Sequence, residues 1–250
     1  MELYTVRNGF RMVKALRTYE GIKLQAMLAA LFSKNQRMKM LDSYHDLGIR
    51  EAGKYFIVHP DSEKYPFLET FIFNMYKFCD YRGKTVIDVG AQTGDSVLYF
   101  SHEGAKIIYA FEPLKSNFKI LQKNVVQNKI NCIYYNTGMG NETSSIEAAV
   151  DGNMITASEI TAGSDHENMK IDRLDNFKID ADIIKIDVEG FEMEVLEGGI
   201  NTVKSANTVI IETQSKGLQM QVGKFLSKAG FKLTRTIGTS KDVRGEYWVK

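Results

Sequence analysis

The chain has 250 residues, 44% of them hydrophobic and 25% charged, with a formal net charge of +1. That length allows one well-packed domain and an appendage, and the near-neutral charge argues against a nucleic-acid binder, whose domain is usually clearly basic. Two cysteines, Cys79 and Cys132, are too few for a disulfide framework and lack C-x-x-C spacing, so a reduced, cytoplasmic setting is expected. The longest uncharged run near the start, 24–32, falls short of the roughly 20 residues that span a bilayer. No small-residue cleavage site follows it, so no transmembrane segment is expected.

Residues 10–47 are rich in Leu, Met, Ala, Lys and Arg and free of proline, which predicts helix. Basic residues outnumber acids across 1–40, the composition of a solvated helical face. Leu24, Met27, Leu28 and Leu31 recur at helical spacing and want a partner surface: the chain's own domain first, a homodimer through these helices or a membrane surface second. Residues 54–58 read as a short strand stopped by His59-Pro60, and a helix is predicted at 64–80. The division expected is a helical N-terminal extension over 1–55 and a second domain over 56–250.

Strands and helices then alternate. Strands are predicted at 84–89, 106–111, 131–135, 182–187, 207–212, 231–236 and 245–249, and helices at 95–103, 115–128, 191–204 and 216–229. The fold class this implies is α/β, Rossmann-like, with a parallel sheet covered on both faces. The last two strands enclose only a polar turn and should pair as a C-terminal antiparallel hairpin. Residues 137–180 interrupt the alternation with small extended pieces near 144–150 and 167–171, and a loop of that length belongs near an active-site mouth.

Residues 86–95, V-I-D-V-G-A-Q-T-G-D, carry a buried strand into a glycine turn, and 109–113, Y-A-F-E-P, end the next strand in an acid. That is the first βαβ unit of a nucleotide-type fold. Gly90 and Gly94 flank Ala91, Gln92 and Thr93, so the middle glycine of a diphosphate-binding turn is missing. Asp88 would repel a diphosphate and suits a ligand with a cationic end, which points to S-adenosylmethionine. Glu112 should accept from both ribose hydroxyls. Thr93 or Asp95 should cap the following helix. Pro113 after the second strand, and Asn136, Thr137 and Gly138 after the third, fall at the same sheet edge.

The second informative stretch is 183–199, I-I-K-I-D-V-E-G-F-E-M-E-V-L-E-G-G. Glu192 and Glu194 suit the positive end of a helix. Asp187 and Glu189 sit at the strand–helix junction on the ligand edge, and Glu212 ends the next strand. Carboxylates so clustered are costly unless they bind something. These three are the candidate bases for an alcohol acceptor, Asp187 and Glu189 first and Glu212 in reserve. Two hard oxygen ligands are a thin set for magnesium, and no metal is expected. His45, His59, His102 and His166 fall away from this edge.

D-V-G-A-Q-T-G, A-F-E-P, K-I-D-R-L-D and I-K-I-D-V-E-G-F-E-M-E-V-L-E-G occur in order across about 84–214 and resemble the FkbM family of methyltransferases. The resemblance implies a seven-stranded methyltransferase sheet and S-adenosylmethionine-dependent O-methylation of a hydroxyl on a sugar, glycan or polyketide-like small molecule. The family commonly has Asn where Gln92 stands, and often a histidine just beyond the acid at the Glu212 position, where this chain has Thr213 and Gln214. The competing readings are an N-methyltransferase acting on a macromolecule, a non-catalytic S-adenosylmethionine-binding scaffold and an NAD-dependent oxidoreductase. The N/D-P-P-Y/F loop of many base methyltransferases is missing, and so is the oxidoreductase's middle glycine.

Overall fold

The computed structural model describes residues 48–51, 54–57, 62, 64–72, 75–151, 154–155, 165–238 and 243–250. The helix predicted over 10–47 lies outside the described residues. Strand β1 (Gly48–Glu51) pairs antiparallel with β2 (Lys54–Ile57), so a small hairpin straddles the expected boundary at residue 55.

The helix expected over 64–80 is shorter. Helix α1 (Lys64–Phe67) passes into a wider helical turn over Leu68–Ile72, and turns follow at 75–78. Burial explains the break. Phe71 and Tyr76 both pack on Tyr99, with ring centroids 5.5 and 6.1 Å away. A regular helix would place those two side chains about 140° apart, on different faces.

The main sheet then builds as the alternation predicts. Its elements are β3 (Thr85–Val89), α2 (Asp95–His102), β4 (Ile107–Phe111), α3 (Lys115–Gln127) and β5 (Cys132–Tyr135). An inserted sheet follows, of β6 (Gly138–Met139), β7 (Ser144–Asp151), β8 (Met154–Ile155) and β9 (Asp165–Asp172), with a 3-10 turn at Leu174–Phe177. The chain returns through β10 (Ile183–Ile186), α4 (Glu192–Gly198), α5 (Ile200–Ser205), β11 (Thr208–Thr213) and α6 (Lys216–Lys228), and closes with β12 (Lys232–Gly238) and β13 (Arg244–Val249).

The seven-stranded sheet runs β12-β13-β11-β10-β3-β4-β5, parallel except where β13 pairs antiparallel with β11 and β12. From β3 the chain winds outward to β5, then crosses to β10 and winds the other way. The reversal therefore lies between β3 and β10, the crevice where open α/β sheets bind ligands. The helix predicted over 191–204 is two, broken at Gly199. Asp175, in the 3-10 turn, accepts from Asn201 N at 3.2 Å and Thr202 N at 2.9 Å and so caps the second helix from outside.

Side-chain alternation along the strands divides the core. Val86, Ile108, Ala110, Ile183 and Ile210 join the aromatic cluster of Phe71, Tyr76, Tyr81, Tyr99 and Phe100 on one face. Ile87, Val89, Ile184, Ile186, Val209 and Ile211 join Val195, Leu196, Leu226 and Trp248 on the other. Among the described residues, no helix is long and apolar enough to cross a membrane.

Candidate functional site

Period-two alternation puts Asp88, Glu112, Lys185, Asp187 and Glu212 in step with the aromatic face of the sheet. All lie at or near the carboxyl ends of β3, β4, β10 and β11.

The glycine turn is built from three left-handed residues, Gly90 (φ 78°), Gln92 (φ 47°) and Gly94 (φ 96°). A Cβ on Gly90 would stand 1.8 Å from the Asp187 carbonyl oxygen, so the turn sits directly on the end of β10. Gly90 N and Ala91 N both donate to Phe111 O at 3.0 Å, tying the turn to β4 as well. The caps expected from Thr93 or Asp95 are not formed. Gly94 takes the capping position of α2, which has no side-chain cap, because its left-handed backbone starts the helix one residue beyond Thr93. Asp95 instead accepts from Thr70 Oγ1 at 2.5 Å, and burial pushes its carboxyl up to about 6. The Thr93 hydroxyl is buried with no hydrogen-bond partner, while Thr93 O accepts from Asn124 Nδ2 at 2.7 Å.

Asp88 faces inward. Its carboxyl is 0% exposed, Oδ2 accepts from Ser96 Oγ at 2.6 Å, and Oδ1 lies 3.1 Å from Lys185 Nζ. Lys185 stands beside Asp88 in the parallel register of β3 and β10, with its side chain 3% exposed. Its ammonium donates to Gly90 O at 2.6 Å and Val89 O at 3.5 Å, and lies 3.9 Å from Asp187 Oδ2. Burial pulls this ammonium down, but Asp88, Asp187 and Asp95 outweigh it and hold it protonated. Removing one partner of such a pair costs about 3–5 kcal/mol, because the other charge stays buried.

Glu112 is buried at the end of β4. It accepts from Gln92 N at 2.9 Å and Leu114 N at 3.0 Å, with Asn117 Nδ2 at 3.5 Å. Burial raises it to about 7 against those bonds. The Asn136 amide donates to Glu112 O and Pro113 O, both at 2.9 Å, and so holds the backbone on which the acid sits. Thr137 Oγ1 donates to Lys170 O at 3.2 Å, and Gly138 opens β6 against Ile171 of β9, which anchors the inserted sheet beside this edge.

Asp187 is half-buried, and its carboxyl is raised by burial against the pull of Lys185. Glu212, one strand away, is pushed up to about 9 by burial, then by Asp187, Glu69 and Glu189. Glu189 is exposed on a left-handed backbone (φ 54°). Gly190 N donates to Glu192 Oε1 at 3.0 Å, and Glu192 Oε2 has no partner. Glu192, read from sequence as a first-turn acid, is 0% exposed and raised by burial to about 7. Among the described residues no three His, Cys, Asp or Glu side chains group to hold a metal ion.

The structure thus sets the turn, Glu112, Pro113, Asn136 to Gly138, Asp187 and Glu212 along the carboxyl edge of one sheet, with Asp187 and Glu212 lining a common cavity, and turns Asp88 and Thr93 inward. Sequence reasoning missed Lys185 and the burial of Glu192. The signal for Lys185 was present: a lone cation inside an apolar strand next to an acid-bearing strand.

The family model described as the Methyltransferase FkbM domain matches residues 88–233. A hexuronic acid methyltransferase of Haloferax volcanii is 28% identical over 149 residues, taking in 57% of this chain and 61% of that protein. The chain therefore spans less than two thirds of that relative. A putative RNA methyltransferase from Pyrococcus horikoshii is 17% identical at a TM-score of 0.48, over 71% of this chain and 78% of the other. A methyltransferase from Aquifex aeolicus is also 17% identical, at a TM-score of 0.45, over 71% and 88%. Likeness at that level says nothing of what the chain acts on. With the family's matched region running from Asp88 to Leu233, more than half of its length, this chain belongs to the FkbM methyltransferase family.

Proposed function

We propose that the chain is an S-adenosylmethionine-dependent O-methyltransferase acting on a hydroxyl of a sugar, glycan or polyketide-like small molecule. The observation that carries the reading is the pairing of two features at the carboxyl edge of one sheet. The left-handed turn is clamped to a buried acid through Gln92 N and Glu112, and a carboxyl pair, Asp187 and Glu212, stands one strand away. In this reading residues 56–250 are the catalytic domain and 1–55 an extension.

The residues fit the cofactor. A carboxylate has about four lone-pair sites, and Glu112 uses up to three within the protein, so it retains capacity for a ribose hydroxyl. A second hydroxyl would replace the long contact from Asn117. In this reading the Gly90–Gly94 backbone would take the methionine portion, and Pro113 with Asn136 to Gly138 would hold the rest of the cofactor. Bound there, S-adenosylmethionine supplies an electrophilic methyl carbon. The protein's part is to align the acceptor oxygen and take its proton. Asp187 is the base in this reading, with Glu189 at the rim and Glu212 as its protonated neighbour. A hydroxyl acceptor needs such a base, whereas a carboxylate acceptor would not.

The Haloferax relative is named for hexuronic acid, which directs the acceptor search to sugars. The test is calorimetry with S-adenosylhomocysteine and NADH on the intact protein and on Glu112→Ala, followed by labelled methyl transfer to glucuronic and galacturonic acid glycosides. Binding of S-adenosylhomocysteine that Glu112→Ala loses supports the reading, and tighter NADH binding overturns it. Label that survives mild alkali marks a methyl ether, and label released by it marks an ester and transfer to the carboxylate.

A further inference from the structure

We propose that Lys185 is the positioning residue of this crevice: its one ammonium holds the glycine turn against β10 and keeps the negative charge of the Asp187–Glu212 pair on Asp187. The inference rests on the functional reading above.

The geometry is specific. Lys185 Nζ reaches the Gly90 carbonyl at 2.6 Å, the Asp88 carboxylate at 3.1 Å and the Asp187 carboxylate at 3.9 Å, all from the middle of a fully buried strand. Gly90 also abuts the Asp187 backbone, where it has no room for a Cβ. Turn and acid are thus held by one side chain from two sides. If Asp88 alone needed neutralising, a lysine reaching only that carboxylate would do. This one spends its shortest hydrogen bond on the carbonyl that opens the turn.

The charges around the pair come from several elements. Asp187 faces Lys185 on its own strand and Asp88 on β3. Glu212 on β11 faces Asp187, Glu69 from the helical turn, Glu189 and Lys185. Asp95 on α2 adds a further acid near the lysine. Two acids this close do not both ionise readily. The ammonium is at ion-pair distance from Asp187, 3.9 Å, while Glu212, on the next strand, faces three acids. The charge therefore settles on Asp187, and Glu212 keeps its proton. That leaves the unprotonated carboxylate beside the cofactor turn, where an acceptor hydroxyl must lose its proton.

Carbon-13 titration of the side-chain carboxyls tests this, with Asp187→Asn and Glu212→Gln assigning the signals. In the intact protein Asp187 should titrate below Glu212; the reverse order overturns the proposal. The Asp88→Asn/Lys185→Met pair removes both buried charges and leaves the sheet neutral. It should bind S-adenosylhomocysteine about tenfold or more weaker, and its Asp187 midpoint should rise, because losing Lys185 outweighs losing the repulsion of Asp88. Unchanged binding or an unchanged midpoint would show that Lys185 merely balances Asp88. If circular dichroism shows this double variant unfolded, the titration order in the intact protein decides. Failure of the intact protein to bind S-adenosylhomocysteine would sink the functional reading, while the titration order would still judge Lys185.

Discussion

The backbone N–H of Gln92 donates to Glu112 Oε2 at 2.9 Å, which makes the glycine turn after β3 and the acid ending β4 one unit. Gln92 holds a left-handed backbone to do this, a conformation that asparagine and glycine adopt more readily than glutamine. The Glu112 carboxyl therefore has two tasks. It fixes the turn in the free protein, and it is the group proposed to meet a ribose.

Those two tasks predict a proton released on binding. Burial raises Glu112 to about 7, so near neutrality it is partly protonated. Ribose hydroxyls donating to it favour the ionised form, and binding should expel the remaining proton. Calorimetry of S-adenosylhomocysteine binding at pH 6.5, in buffers of different ionisation enthalpy, should show net release that Glu112→Gln abolishes. In the free protein the sign runs the other way. The folded state holds this proton above the ordinary glutamate value of 4.5, so the group's stabilising contribution is full below that value and is lost as pH rises through about 7.

Asp187→Asn and Glu212→Gln should separate cleanly. Glu212 is pushed up to about 9, first by burial, so a neutral glutamine imitates its state at pH 7.5 and should keep most of the turnover. Asp187→Asn removes the proposed base and should lower turnover about 10²-fold or more, with S-adenosylhomocysteine binding retained. Methyl transfer to the hexuronic acid glycosides is the readout. An active Asp187→Asn and an inactive Glu212→Gln would move the base to β11.

The strands were legible because a buried parallel strand writes itself as a short apolar run, and I-I-K-I and V-I-D-V are such runs with one polar residue each. Lys185 stands out in the sequence as a lone cation in an apolar strand, but its pairing was not legible. Its partner Asp88 lies on a different strand, and only the register of β10 on β3 sets them side by side. Glu192 is the first-turn acid that its position predicts, but its burial was not legible, for a local reason. Left-handed Glu189 and Gly190 set the direction in which α4 starts, and its first-turn acid ends up under the chain rather than in solvent. The break at Gly199 was written in the Gly198-Gly199 pair, where helices bend or stop. The matching cap, Asp175, comes from the 3-10 turn after β9, which no local pattern announces.

Gly90→Ala tests how tightly the turn rests on β10. The new methyl would stand 1.8 Å from the Asp187 carbonyl oxygen, on a backbone at φ 78°. Both strain and collision must be relieved by moving the turn, at a cost of about 2 kcal/mol or more. Urea unfolding should show that loss, and S-adenosylhomocysteine binding should fall with it. Full stability with wild-type binding would mean that the turn and β10 are not held together.

Asp175 gives a prediction on stability alone. Its carboxylate accepts from Asn201 N and Nδ2 and from Thr202 N and Oγ1, at 2.9 to 3.2 Å, serving two of the backbone donors that α5 leaves open at its start. Burial pulls the carboxyl up, but these four bonds outweigh it and hold it below the ordinary aspartate range. Asp175→Ala should therefore cost about 1–2 kcal/mol at pH 7. Because the folded value is depressed, the contribution is present above the ordinary aspartate value of 3.8 and is lost as pH falls below it. Urea unfolding of wild type and variant at pH 7, 4 and 3.5 should show the gap between them closing at the acid end. A gap of constant size would assign the loss to packing around Leu174 and Gly199 rather than to the charged cap.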